Sequence, residues 1–376
     1  MRVLLHTGRG GVGTTTVAAA GAVHAARSGA RTLVVSTTAD RCLAHVLGRP
    51  VTGSPVVAGP VEVEPGLSLL HLGARAGTGQ DAVGRAAAAL GLQPWSAAAL
   101  PGVAEFLALT ALRDEVSHGG WDVVVVDCGA AERALRLLTL PDVLARSAAQ
   151  LLLAQRSADV VGVLREVRAE LTAAAQVLGA SSTSVRLVVT PQPVVVAESL
   201  RTLTALSLHG FGVDALVANM VAPAGADPWL SARADAQAEA LAGLAAAAPA
   251  PVLRAPHLAV GPVGTDALAG LAVELFGHGT DALLALEPPP ATDAGRGFGV
   301  ERTGSGFDLV IDLPLTTAAD VDLARAGDDL VLTVGHNRRV VVLPSALRRC
   351  RTGGARMSAG RLRVHFEPDP SLWPTR

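Results

Sequence analysis

Thr7-Gly8-Arg9-Gly10-Gly11-Val12-Gly13-Thr14-Thr15-Thr16 decides how the 376-residue chain is read. It follows the apolar run Arg2-Val3-Leu4-Leu5-His6, which reads as a buried strand. It precedes Val17-Ala18-Ala19-Ala20-Gly21-Ala22-Val23, which reads as a helix. Strand, Gly-rich turn and helix form the setting in which backbone N–H groups curl around phosphate oxygens. Gly8 to Thr15 fits the phosphate-loop pattern G-x-x-x-x-G-K-[ST] at every place but one. Thr14 occupies the lysine position.

Working outward, the composition limits the function classes. The net charge of −2 offers no basic excess to neutralise a nucleic-acid backbone. No apolar window of about 18 residues stands out as a membrane span, and the N-terminus lacks a signal-peptide pattern, so a cytoplasmic protein is expected. Half of the residues are hydrophobic, enough for a large core in two or three domains. Tyr is absent, so Ala, Leu and Val must fill that core. Cys42, Cys128 and Cys350 lie far apart without a C-x-x-C, which reads as small buried thiols and not a zinc clip. His71 and His257 have no ligand spacing, and His6 reads as a strand-end residue. No lysine occurs anywhere in the chain, so Arg carries all basic charge besides His.

Apolar strands alternating with helical segments predict an α/β fold: a mostly parallel sheet covered by helices on both faces. Strands are expected at 31–36, 67–72, 121–127, 150–154, 185–190, 213–219 and 251–256. Helices are expected near 158–178, 196–208, 232–247 and 264–276. Residues 81–116 read as a helical insertion broken by Pro101-Gly102. This phosphate-loop NTPase domain spans 1–285. A Pro- and Gly-rich linker follows at 286–300. The period then changes, and short strands from 301 to 368 predict a small all-β sandwich module. The strand Trp121-Asp122-Val123-Val124-Val125-Val126-Asp127 ends in an acid, placed to polarise water or to hold Mg²⁺ through water. The plain alternative is an Asp capping the next helix.

Several motifs together resemble one family. Gly8-Arg9-Gly10-Gly11-Val12-Gly13-Thr14-Thr15-Thr16 is similar to the deviant phosphate loop G-K-G-G-V-G-K-T-T of the ArsA-type anion-pumping and tail-anchored-protein-targeting ATPases. Ser36-Thr37-Thr38-Ala39-Asp40-Arg41-Cys42-Leu43 resembles their first switch, S-T-D-P-A-H-S-L. Asp127-Cys128-Gly129-Ala130-Ala131-Glu132-Arg133-Ala134-Leu135-Arg136 resembles their second, D-T-A-P-T-G-H-T-L-R. Asn219 falls where the family's adenine-contacting Asn ends a strand, and Pro256 near the loop that closes over the base. The tail, through Leu343-Pro344-Ser345-Ala346-Leu347 and Gly360 to Pro368, resembles the α-crystallin-like domain appended to some members.

The resemblance implies ATP or ADP bound by Gly8, Gly10, Gly11, Val12, Gly13, Thr14, Thr15, Thr16, Asn219 and Pro256. It implies Mg²⁺ held by Thr15 with Asp127, and Arg9 acting in trans across a dimer. The departures lie in the chemistry. The signature lysine is Arg9, the phosphate-bridging lysine is Thr14, the water-orienting Asp is Thr38, and T-G-H of the second switch is Ala131-Glu132-Arg133. Losing one such stabilising group commonly costs about 10²- to 10³-fold in rate. The expectation is a catalytically impaired ATPase homologue acting as a nucleotide-binding or regulatory subunit of a homodimer, or of a heterodimer with an intact paralogue. The alternatives are an active ATPase with a rewired site, serving anion transport or membrane-protein targeting, and a client-holding protein. The last would use the β tail and the apolar 81–116 region on a hydrophobic partner.

Overall fold

The computed structural model describes residues 1–38, 41–49, 59–72, 78–89, 91, 93, 96, 99–154, 157–225, 227–277 and 297–372. Its first unit is an eight-stranded sheet of order β3-β4-β2-β5-β1-β6-β7-β8. These strands are β1 (Arg2–Gly8), β2 (Thr32–Ser36), β3 (Val61–Glu64), β4 (Leu67–His71), β5 (Val123–Ala130), β6 (Thr183–Val189), β7 (Val213–Val221) and β8 (Val252–Pro256). All neighbours pair parallel except the edge pair β3–β4. The central strands are buried on both faces, which is why they read as unbroken Val/Leu runs and not as alternating ones.

The helix Thr14–Arg27 leaves the phosphate loop and is buried nearly all round. Ala18, Ala19, Ala20, Ala22, Ala25 and Ala26 give it a slim cross-section, so it lies between the sheet and the helix Thr265–Phe276. A second packing group is built from the helices Thr78–Ala89, Val103–His118, Ala131–Ala154 and Ala158–Leu178. The expected helical insertion is therefore a helix pair packed on Ala158–Leu178, with Ala82, Phe106 and Leu171 at its centre. Residues 150–154 overturn one expectation. They are the last turn of the helix Ala131–Ala154 and not a strand. A short apolar run fits both conformations, and here the preceding helix simply continues through it.

The second unit has seven strands in two sheets. One is β14-β15-β10-β9 and the other β11-β12-β13. Their ranges are β9 (Gly299–Arg302), β10 (Phe307–Asp312), β11 (Val321–Ala326), β12 (Asp329–Val334), β13 (Asn337–Val342), β14 (Cys350–Ser358) and β15 (Arg361–Pro368). The period-2 burial of β12 and β15 turns one face of each sheet inward. Leu309, Ile311, Val364 and Phe366 meet Leu330, Leu332 and Val341 in one core.

The two units share that core. Leu208, the last residue of the helix Pro193–Leu208, is buried in it. Arg339, itself buried, donates from Nη1 to the Leu208 carbonyl at 2.7 Å and to the Gly297 carbonyl at 3.3 Å. Arg146 donates to the Val340 carbonyl at 3.0 Å. Of the expected linker at 286–300, residues 286–296 lie outside the described residues, and β9 already begins at Gly299.

Candidate nucleotide site

The site lies at the C-terminal edge of the parallel strands, where β1 turns into the first helix. The loop glycines divide into two kinds. A Cβ on Gly8 would stand 2.3 Å from the Val188 carbonyl oxygen, and one on Gly13 would stand 2.3 Å from Asn219 Nδ2. These two glycines allow the loop to press against β6 and β7. Gly10 and Gly11 instead face open space, with no atom within 4 Å of an added Cβ. Gly11 and Gly13 both have φ near +87°, the left-handed region that an L side chain rarely adopts. The result is a concave backbone loop, closed behind and open in front.

The helix beginning at Thr14 has no side-chain cap at its N-terminus. Its first-turn N–H groups face the loop opening, an arrangement suited to phosphate oxygens. Thr14 is buried, whereas Thr15 and Thr16 are half-buried at the loop mouth. Arg9 is exposed on the outer side of the loop.

Asn219 does not reach outward. Its Nδ2 donates to the Val12 carbonyl at 2.8 Å, and the side chain is buried behind the loop. The next residue, Met220, has φ of 58°, a rare conformation for a non-Gly residue. Gln237 holds the turn there, accepting from the Ala222 N–H at 2.6 Å and donating to the Met220 carbonyl at 3.3 Å. Pro256 ends β8 opposite Val221, two residues along β7 from Asn219.

The expected strand end at Asp127 is not where β5 stops: the strand runs on to Ala130, so Asp127 is buried within it, and its Oδ1 accepts the Gly129 N–H at 3.0 Å. The two switch segments meet beside it. Thr37 donates through Oγ1 and through its backbone N–H to the Asp127 carbonyl, both at 3.1 Å. Arg133 donates to the Thr37 carbonyl at 3.3 Å, so this cation is engaged with the first switch. Thr38 is buried, its hydroxyl 2.9 Å from Ser36 Oγ. Glu132 is exposed; Ala39 and Asp40 are outside the described residues.

The strand registers carry a polar row across the middle of the sheet: His71, Ser36, Asp127, His6 and Arg186. His6 is fully buried, and neither ring nitrogen has a hydrogen-bond partner. Burial and then the neighbouring Arg186 push its pKa down to about 3, so it is a neutral imidazole. Arg186 is buried against Asp214, Nε to Oδ1 at 3.1 Å, and Asp214 also accepts from Ser184 at 2.7 Å and Arg2 at 3.2 Å. The sequence reading passed over this network. The one available signal was an Arg and an Asp in strands otherwise made of Val, Leu and Ala. Cys128 and Cys350 are buried thiols as expected, but Cys42 is exposed at the start of the helix Cys42–Val46.

The groups present fit a nucleotide polyphosphate on backbone geometry alone. Metal ligation is leaner. No cluster of three His, Cys, Asp or Glu exists among the described residues. Mg²⁺ tolerates such a site, since it keeps most of its water and takes the rest from phosphate oxygens and one or two protein groups. Thr15 and Asp127 are the two side chains that would hold it.

A parallel sheet carrying a glycine loop and an uncapped helix at β1 defines a phosphate-loop ATPase-like domain. The chain belongs to the ArsA family of anion-transporting ATPases: the family model for these ATPases matches residues 1–277. The model of the HSP20-like domain found in ArsA matches residues 304–366. The chain is 41% identical to the uncharacterized protein SCO2128 of Streptomyces coelicolor, covering 100% of this chain and 99% of that one. It is 32% identical to protein Rv2184c of Mycobacterium tuberculosis, with 100% and 98% covered. It is 26% identical to a putative arsenical pump-driving ATPase of Chlorobaculum tepidum, with 98% and 96% covered. No described helix is long and apolar enough to cross a membrane.

Proposed function

We propose that this ArsA-family protein binds ATP or ADP with Mg²⁺ at the loop Gly8–Thr16 and hydrolyses it very slowly or not at all. The observation that carries this reading is Thr14. A short buried hydroxyl side chain stands where the bridging lysine belongs, and no lysine exists elsewhere to replace it. Arg133 is engaged with the Thr37 carbonyl, and Thr38 is hydrogen-bonded to Ser36 in place of an acid that would orient water. Positioning and charge stabilisation supply most of the rate in phosphoryl transfer. With both groups gone, the cradle binds and the chemistry lags.

Such a protein serves as a regulatory or scaffolding subunit in a dimer with itself or with an intact paralogue. Support comes from the exposed apolar side chains Val194, Trp229, Leu258, Val260 and Val263, on the segments that follow β6, β7 and β8 at the same end of the sheet as the loop. Arg9, exposed at that end, is the side chain offered to a partner's nucleotide. Titration of the purified chain with a fluorescent ATP analogue, beside a phosphate-release assay, tests the reading. Binding with turnover at least about 100-fold below that of an intact relative is expected. Full turnover would instead favour a rewired active enzyme.

A further inference from the structure

A second constellation lies on the β module, in the hairpin that joins β9 to β10. The turn Thr303-Gly304-Ser305-Gly306 closes with the Thr303 N–H donating to the Gly306 carbonyl at 2.9 Å. It is pressed onto β15, for a Cβ on Gly306 would stand 2.1 Å from the Phe366 carbonyl oxygen. That close approach sets Ser305 over His365, with Ser305 Oγ 3.3 Å from His365 Nε2. The other ring nitrogen, Nδ1, is 2.7 Å from Asp308 Oδ1. Asp308 is buried and lies directly opposite His365 in the β10–β15 register.

The three residues thus form a serine, a histidine and a buried carboxylate in the order of a nucleophile, its base and the base's orienting group. They line a cavity of about 400 Å³ together with Thr303, Arg356 and Arg363. Thr303 Oγ1 is buried with no hydrogen-bond partner. Arg356 lies 3.4 Å from Asp308 and is largely exposed at the rim of this space, whereas Arg363, 3.8 Å from Asp308, is paired with Glu301. Glu367 Oε1 lies 3.9 Å from His365 Nε2. A purely structural Asp–His pair would need neither the serine on the free ring nitrogen nor an unpartnered hydroxyl in the wall.

We propose that the β module carries a second, nucleotide-independent activity: hydrolysis of small carboxylic esters that bear a negative charge, through Ser305. Ser305 Oγ forms a bond to the ester carbonyl carbon and passes its proton to His365 Nε2. The bond from that carbon to the alcohol oxygen breaks, and the departing alcohol takes the proton from Nε2. Water then adds to the acyl carbon while giving its proton to Nε2. The acyl–Oγ bond breaks, and the proton returns to Ser305. Asp308 is a positioning residue that fixes the ring with Nε2 free to accept. Arg356, exposed at the rim, selects the anionic ester.

The test uses the full-length protein, a fluorophosphonate probe located by peptide mass, and two esters, 4-nitrophenyl acetate and mono-4-nitrophenyl adipate, each read above its spontaneous rate. Ser305 is expected to be labelled in preference to the exposed Ser358 and Ser371, and the adipate ester to be cleaved faster than the acetate. Ser305→Ala abolishes labelling and cleavage while ATP-analogue binding is unchanged. His365→Gln lowers the labelling rate at least about 100-fold. Asp308→Asn lowers it near neutral pH, and the rate recovers as hydroxide rises, a response that lost packing alone does not produce. Labelling of Ser305 no faster than that of Ser358 in the unaltered protein overturns the proposal whatever the variants do. Equal labelling in folded His365→Gln overturns the role of the histidine, and faster cleavage of the acetate overturns the substrate class.

Discussion

Asn219 Nδ2 donates to the Val12 carbonyl oxygen at 2.8 Å, so the end of β7 holds the phosphate loop from behind. Asn219→Ala is expected to leave that buried carbonyl without its donor, costing about 1–3 kcal/mol. Urea unfolding measures the loss. The same variant weakens ATP-analogue binding, because the loop's concave form loses its support.

Gly10 and Gly13 separate folding from binding. Gly13→Ala sets a methyl group 2.3 Å from Asn219 Nδ2 at a φ of +87° and should lower the melting temperature. Gly10→Ala meets no atom within 4 Å, so its stability should match the parent. Its methyl group instead enters the space intended for phosphate, and nucleotide affinity should fall. A stable Gly10→Ala protein with undiminished binding would place the nucleotide elsewhere.

Thr14→Lys restores the cation missing from the cradle. ATP-analogue affinity should rise at least about tenfold, corresponding to about 1.4 kcal/mol. Phosphate release should rise far less, since Thr38 still lacks the acid of the first switch. Fluorescence titration and a coupled phosphate assay on the same preparation separate the two effects.

Much of this was legible beforehand. The phosphate loop announces itself because strand, glycines and helix are contiguous in the chain. The alternating strands and the change of period near residue 300 likewise depend only on local pattern. What could not be read is what long-range register assembles. His6 looks like a strand end, yet the β1–β6 register places it beside Arg186 in a sealed interior. Asn219 reads as a ligand-facing residue, but the approach of β7 to Gly13 turns its amide onto the loop. Residues 150–154 read as a strand because a run of apolar residues has no period of its own.

Two buried histidines set the acid response. His6 is lowered to about 3, by burial and then Arg186. His209 is lowered to about 4, by burial and then Arg339 and Arg146. In the unfolded chain both take up a proton near pH 6.5, while the folded state refuses it. Their contribution is therefore complete above pH 6.5 and declines as pH falls toward 4. Over that window the slope approaches two protons, on the order of 3 kcal/mol per pH unit. Urea midpoints measured from pH 7 to pH 4.5 should show it, and His6→Leu should remove about one proton from the slope.

Asp214 neutralises a guanidinium that has no access to water. Asp214→Ala should destabilise the protein by about 3–5 kcal/mol, since the buried Arg186 loses its carboxylate. Denaturant titration at pH 7 measures this. The exposed Arg31–Asp122 pair makes a useful contrast, and Asp122→Ala should shift the unfolding midpoint far less than Asp214→Ala does.

The helix Pro193–Leu208 begins beyond β6, at the edge of the sheet that bears the phosphate loop, and its last residue is embedded in the β sandwich. Sixteen helical residues make a strut of about 24 Å. Its far end is clamped by Arg339 on the Leu208 carbonyl. The sandwich is therefore no passenger on a tether. A tilt of the strut at the nucleotide end must either swing the sandwich as a lever arm or tear Leu208 out of its seat, and cutting the chain near residue 290 would leave a socket in one piece and a bare peg on the other.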